Sequence, residues 1–301
     1  MRAVAFTAFG TAPAIHDLEL PAPGDGEVRV RVHAASLNGF DFAVANGYLQ
    51  GMMEHRFPVV LGKDFAGTVD ALGAGVTGYE VGDRVFGVVT KAFLGDGSLA
   101  EFVTVPVTTG LAKLPEAVTF TDGGALGLAG SAAVDAVTAA ALQPGERVLV
   151  SGATGGVGTL VVQLATKAGA TVIATAHTDD EKALVTELGA TETADHTEDL
   201  AAQVKDADVV FHLAGDPAAL LGLLRPGGRF VSTLVGSPDQ LPAGDYTVLP
   251  VFANASQETL NTLAAQDTRL VVERVYPLDE ALDAIAHFSG GTKGKIVITV
   301  A

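Results

Sequence analysis

The stretch Val148-Leu149-Val150-Ser151-Gly152-Ala153-Thr154-Gly155-Gly156-Val157-Gly158 decides the fold. Three consecutive aliphatic residues, two of them β-branched, describe a short strand buried on both faces, and four glycines within the next eight residues break it. A helix follows at once. Leu160, Val161, Leu164, Ala165 and Ala168 recur at three- and four-residue spacing to give one apolar stripe, and Gly169 stops it. A glycine cluster that follows a strand and opens a helix has a specific physical use. Its backbone turns sharply and approaches a pyrophosphate closely, while free N–H groups and the positive end of the helix dipole attract the anion. The competing reading is a tight turn with no ligand, which needs one or two glycines rather than four.

Outward from this loop, strands are expected at Thr171–Thr175, Asp208–Leu213, Arg229–Thr233 and Thr247–Val251, most with a helical segment between, and an alanine-rich helix at Ala129–Leu142 precedes the first. Strand and helix in alternation imply a parallel sheet covered on both faces. Up to about residue 118 the rhythm is different. Val28-Arg29-Val30-Arg31-Val32 sends its valines to one face, and later strand-like pieces are separated by glycine turns, which reads as a β-rich barrel or sandwich. Beyond about residue 255 come a helix at Glu258–Ala265, a strand at Arg269–Val275, a helix near Leu278–His287 and a last strand at Lys295–Val300. The expected organisation is α/β: a β-rich unit over residues 1–118, a doubly wound unit over 119–254, and a segment 255–301 that returns to the first, with an interdomain cleft of the kind where ligands sit.

The end of the second strand, Thr175-Ala176-His177, bears on the choice of dinucleotide. NAD sites place Asp or Glu there to bind the ribose hydroxyls, whereas a neutral end does not repel a 2′-phosphate. Lys182 is either a point charge for that phosphate, helped by His177 or Thr178, or an ordinary exposed helix residue. The balance favours NADPH (NADP+). Asp179-Asp180-Glu181 pull the other way if their carboxylates turn to the ribose rather than to solvent.

Composition removes other chemistry. The 301 residues contain no cysteine, so disulfides, thiol nucleophiles, iron–sulfur clusters and cysteine-bearing zinc sites are all excluded. A formal net charge of −17 without any Lys/Arg cluster argues against a nucleic-acid partner. No uninterrupted apolar run reaches the roughly 18 residues of a membrane span. Met1-Arg2-Ala3-Val4-Ala5-Phe6 is basic then apolar, but Thr7, Gly10, Thr11 and Pro13 interrupt it, so a first strand is expected there and a cytoplasmic location follows by default.

Several further blocks occur in order: Pro58-Val59-Val60-Leu61-Gly62-Lys63-Asp64-Phe65-Ala66-Gly67-Thr68-Val69, Val81-Gly82-Asp83-Arg84-Val85-Phe86-Gly87, Gly97-Ser98-Leu99-Ala100-Glu101-Phe102, Leu128-Ala129-Gly130, Gln163-Leu164-Ala165 and Gly294-Lys295-Ile296-Val297. With the glycine loop, they resemble the zinc-independent quinone oxidoreductases of the medium-chain dehydrogenase/reductase superfamily over nearly the whole chain. The resemblance implies a GroES-like catalytic domain, a Rossmann domain, a homodimer, and direct hydride transfer from NADPH to a quinone or an α,β-unsaturated carbonyl. Where zinc-dependent relatives hold their metal with a cysteine and a histidine, this chain has Asn38 and Lys63. An amide and a cation cannot replace a thiolate and an imidazole, so no zinc is expected.

By the same resemblance Asn38 lies near the nicotinamide ribose and the substrate oxygen, with Asp41 in the same motif and Tyr48 as a proton donor. Asn38 as a turn amide and Tyr48 as a pocket-wall or surface aromatic remain the alternatives. Nucleotide contacts are implied for Ser151, Gly152, Ala153, Thr154, Gly155, Gly156, Val157, Gly158, Thr175, His177, Lys182 and His196, and for backbone at Leu213, Ala214, Val251, Phe252 and Ala253. His196 replaces a tyrosine of relatives. Ala43 and Ala132 stand where relatives often have tyrosine and threonine, and the region from Gln240 to Gln266 is short, so substrate shape and nicotinamide anchoring differ. Two other functions stay open: an enoyl reductase acting on an acyl thioester, and a non-catalytic NADPH-binding protein.

Overall fold

Six strands form the sheet that carries the glycine loop: β1 (Arg147–Ser151), β2 (Thr171–Thr175), β3 (Glu192–Ala194), β4 (Ala207–His212), β5 (Leu224–Ser232) and β6 (Tyr246–Pro250). They lie in the order β3-β2-β1-β4-β5-β6, every neighbour parallel. This is the order of dinucleotide-binding sheets, in which the order of strand addition reverses between β1 and β4 and opens a crevice at the carboxyl ends of those strands. Alternation within β1 explains why it is apolar throughout. Val148 and Val150 join one core cluster with Val172, Ala174, Val209 and Phe211, while Leu149 joins the cluster on the opposite face with Ile173, Val210 and Phe230. The first face is covered by helix α1 (Gly158–Lys167), which buries Leu160, Val161, Val162 and Ala165.

The computed structural model describes residues 1–300. The chain forms two compact units. One comprises residues 1–128, 255–266 and the chain from Val272 onward; the other comprises 129–254 with 267–271 and contains the parallel sheet. In the first unit the long strand Glu27–Ser36 is the organiser. Val28, Val30 and Val32 are buried while Arg31 is exposed, the expected pattern of a strand with one face on the core. This strand pairs antiparallel with Asp64–Leu72 along its length, with Phe102–Pro106 over its first half, and with Lys295–Thr299 at its end. Lys295–Thr299 in turn pairs in parallel with Val272–Pro277, three residues later than the strand expected from Arg269.

One helix is longer than the sequence suggests. It runs over Phe120–Ala140 rather than beginning at Ala129, because Thr119 Oγ1 accepts the Asp122 N–H at 3.1 Å as an N-terminal cap. Gly123 and Gly124, which lower helix propensity, are there for packing: a Cβ on Gly124 would lie 2.8 Å from the Ala34 carbonyl. By length and composition this helix could cross a membrane, but most of it is buried inside the protein.

Candidate active site

The glycine loop is pinned from both sides of β1. Thr175 Oγ1, at the end of β2, accepts the Gly152 N–H at 2.9 Å and donates to the Val150 carbonyl at 3.2 Å. On the β4 side, Ser151 Oγ donates to the Ala214 carbonyl at 2.7 Å, and the Leu213 N–H bonds to the Ser151 carbonyl at 3.1 Å. Gly152 has φ +83°, a conformation that disfavours any side chain, and a Cβ on Gly158 would fall 2.0 Å from the Gly152 carbonyl oxygen. Helix α1 can therefore start directly against the strand end only because Gly158 has no side chain. Ala153 is fully buried beneath the loop, whereas Thr154, Gly155, Gly156 and Val157 are partly exposed on its outer surface. At Gly155 an added Cβ would meet nothing nearer than 3.5 Å. Such a surface, closed below and open above at the start of a helix, fits a pyrophosphate.

Beyond Thr175, His177 and Thr178 lead into helix α2 (Asp179–Glu187). The Thr178 hydroxyl accepts from Glu181 N, and Glu181 Oε2 accepts from Thr178 N at 3.1 Å and from His177 N at 2.7 Å. Glu181 is thus committed to the helix cap. Lys182 makes no ion pair with the described residues. The turn after β3 brings Asp195, His196 and Thr197 alongside, with the His177 and His196 rings edge to face at 6.1 Å. Sequence reading missed Asp195, whose carboxylate lies 3.0 Å from His177 Nδ1. At the far end of the sheet, Val251 is buried with its N–H on the Ser232 carbonyl, Phe252 is 73% exposed and Ala253 is half-buried. His212 was missed as well. Buried at the end of β4, it is held between Ser232 Oγ at 2.9 Å and the Gly215 carbonyl at 3.1 Å.

The residues expected to meet the substrate lie in the first unit, where a buried charged network collects them. Asn38 caps the helix Gly39–Ala45, and its side chain is fully engaged: Nδ2 donates to Asp64 Oδ2 at 2.9 Å and to the Ser36 carbonyl at 3.4 Å, and Oδ1 accepts from Lys295 Nζ at 2.6 Å. Asp64, with no exposure, also accepts from Ser36 Oγ at 2.7 Å, from Leu128 N at 2.6 Å and from Lys295 Nζ at 3.2 Å. Lys295, 4% exposed, finds its third acceptor in the Leu37 carbonyl. Neither Asp64 nor Lys295 was singled out from the sequence as a site residue.

Asp41 takes N–H bonds from Asn38 at 2.8 Å and Gly62 at 3.1 Å. Burial, with some help from the Asp64 charge, nevertheless pushes its carboxyl up to about 7. Lys63 lines a recess beside it together with Phe40, Val44, Leu61 and Asp96. Its ammonium donates to the Val89 carbonyl at 2.7 Å and lies 5.0 Å from the centre of the Phe40 ring, and burial lowers its pKa. Tyr48 stands apart from this group: it is 74% exposed, its N–H bonds to the Ala43 carbonyl at 2.9 Å, and its hydroxyl makes no hydrogen bond with the described residues.

Both units match known families. The alcohol dehydrogenase GroES-like domain matches residues 24–116, and the zinc-binding dehydrogenase family matches residues 156–266. The quinone oxidoreductase of Sus scrofa is 31% identical, the match covering 94% of this chain and 92% of that protein. The chain belongs to the quinone oxidoreductase family of the medium-chain dehydrogenase/reductase superfamily. Among solved structures, the quinone oxidoreductase from Coxiella burnetii superposes with a TM-score of 0.90 at 28% identity, covering 100% of this chain and 99% of that one. A mycobacterial protein solved in complex with NADPH gives 0.86 at 27% identity, over 99% and 100%. A mycocerosic acid synthase-like polyketide synthase of Mycolicibacterium smegmatis is 32% identical over 94% of this chain, which spans only 14% of that much longer protein. For this family member the zinc implied by one family description does not fit the residues present. Asn38 has its amide oxygen on Lys295, and Lys63 is a cation with no lone pair to give.

Proposed function

We propose that this chain is an NADPH-dependent oxidoreductase that transfers hydride to a quinone or an α,β-unsaturated carbonyl without using zinc. The observation that carries the reading is the cradle of Ser151–Gly158, pinned by Thr175 and open at Gly155, beside a second-strand end that carries no carboxylate of its own. Ser151, Gly152, Ala153, Thr154, Gly155, Gly156, Val157 and Gly158 hold the pyrophosphate in this reading. Thr175, His177, Lys182 and His196 serve the adenosine phosphate, and Leu213, Ala214, Val251, Phe252 and Ala253 the nicotinamide side. The bound nucleotide supplies the hydride. On the acceptor side, Asn38 and Asp41 order the helix start next to the recess, and Tyr48, exposed and outside that recess, is the phenol assigned to give a proton. An electron-poor double bond suits such a site, since a hydrogen-bond donor on its carbonyl oxygen stabilises the enolate or phenolate that forms.

The likeness to a polyketide synthase segment supports a second reading, reduction of an enoyl thioester. A net charge of −17 works against docking an acidic carrier protein. Following NADPH absorbance with a quinone, an enal and an acyl thioester in turn separates the two. Consumption with the quinone or enal alone is expected. Turnover of the thioester alone would favour the second reading, and NADPH binding with no turnover of any acceptor would make the chain a non-catalytic nucleotide binder.

A further inference from the structure

The ribose end of the nucleotide unit contains a hydrogen-bond arrangement with a directional consequence. His177 Nδ1 lies 3.1 and 3.0 Å from the two oxygens of Asp195 and 3.1 Å from Thr197 Oγ1. The Thr197 hydroxyl spends its own proton on Asp195 Oδ1 at 2.7 Å, so toward the imidazole it is an acceptor too. Every neighbour of Nδ1 therefore accepts, and the single proton of a neutral ring belongs on Nδ1. Nε2 makes no hydrogen bond with the described residues, and the side chain is 53% exposed. In the neutral ring Nε2 carries a lone pair. A phosphate dianion also offers only lone pairs, so neutral His177 repels it, whereas the imidazolium presents both a positive charge and an N–H at that same atom.

The surrounding charges keep this arrangement in force. Bonds from Thr197 and His177 hold the Asp195 carboxyl well below the ordinary carboxylate range, so it stays an acceptor wherever histidine titrates. Helix α2 contributes Asp179, Asp180, Glu181 and Lys182, of which Glu181 is tied to the cap, and the turn after β3 contributes Asp195, His196 and Glu198. Lys182 is the one α2 cation here. Of the two histidines, only His177 has its tautomer set by a carboxylate.

We infer that His177, with its Nδ1 proton fixed by Asp195 and Thr197, is a proton-gated donor to the adenosine 2′-phosphate, so that the preference for NADP(H) over NAD(H) falls as His177 loses its proton. This rests on the reading of the unit as an NADPH site. The test is the ratio of NADP+ to NAD+ affinity, measured by calorimetry from about pH 6.5 to about pH 9, a range above the phosphate's second ionisation near about 6. In the unaltered chain the ratio falls about tenfold with rising pH, the scale of one charge-assisted hydrogen bond. His177→Gln, which offers an amide donor at every pH, gives a flat ratio; NAD+ binding in that variant reports an intact fold. Asp195→Asn frees the ring to carry its neutral proton on Nε2 and preserves the NADP+ preference at the alkaline end. A flat ratio in the unaltered chain, an unchanged fall in His177→Gln or an unchanged alkaline loss in Asp195→Asn overturns this inference and leaves the nucleotide assignment standing. No affinity for either nucleotide at any pH overturns the assignment itself.

Discussion

Asp41 is a carboxyl group pulled in two directions. Two backbone N–H bonds favour its charged form, and complete burial favours its neutral form; burial wins, with a pKa of about 7. The folded protein therefore binds a proton at this site that the unfolded chain, titrating near the ordinary aspartate value, has already released. Stability from this group is fully present below the unfolded value and is lost as pH rises from there to about 7. We expect the stability advantage of the unaltered chain over Asp41→Asn to shrink between about pH 5 and pH 8, measured by urea denaturation of both proteins; an advantage that grows over this interval would show that the carboxylate is the favoured form. Asp41 itself was legible in the sequence from its motif. Its neighbours were not, because Asp64 and Lys295 are 231 residues apart and nothing local marks either as the other's partner. The same holds for Asp195, which lies against His177, 18 residues away in sequence.

At the scale of elements, the strand–loop–helix of β1 and α1 reads directly from sequence, since burial on both faces, the glycine break and the 3.6-residue stripe all act within about twenty residues. Five of the six parallel strands were placed for the same reason, with β5 starting at Leu224 rather than Arg229, whereas the three-residue strand Glu192–Ala194 is too short to leave a pattern and was not foreseen. The helix at Phe120 was harder to see. Its glycines serve close packing, Gly124 against Ala34 and Gly123 against Leu114 and Ala66, a tertiary requirement that overrides propensity. Two glycines of the loop make separable predictions. Gly158→Ala forces a Cβ onto the Gly152 carbonyl and should lower both the melting temperature and nucleotide affinity. Gly155→Ala has room in the protein and should leave the melting temperature unchanged while weakening the nucleotide, whose pyrophosphate needs the surface at that position. Equal melting temperatures for the two variants would mean that α1 does not depend on the close approach at Gly158.

For the molecule as a whole, nucleotide binding to the parallel-sheet unit should register as stability. A ligand at a hundredfold excess over its Kd adds about 2.7 kcal/mol to the state that binds it. NADPH is therefore expected to raise the first unfolding transition seen by calorimetry, and NADH to raise it less; no shift with either would contradict the cradle assignment. The first unit has a different dependence. Its sheet is completed by Lys295–Thr299, and Lys295 reaches Leu37 across 258 residues of chain. During synthesis the edge at Ala34–Ser36 stays without its neighbour, and Asp64 without its counter-charge, until the entire dinucleotide-binding fold has left the ribosome. The half of the protein translated first is thus the half that finishes folding last.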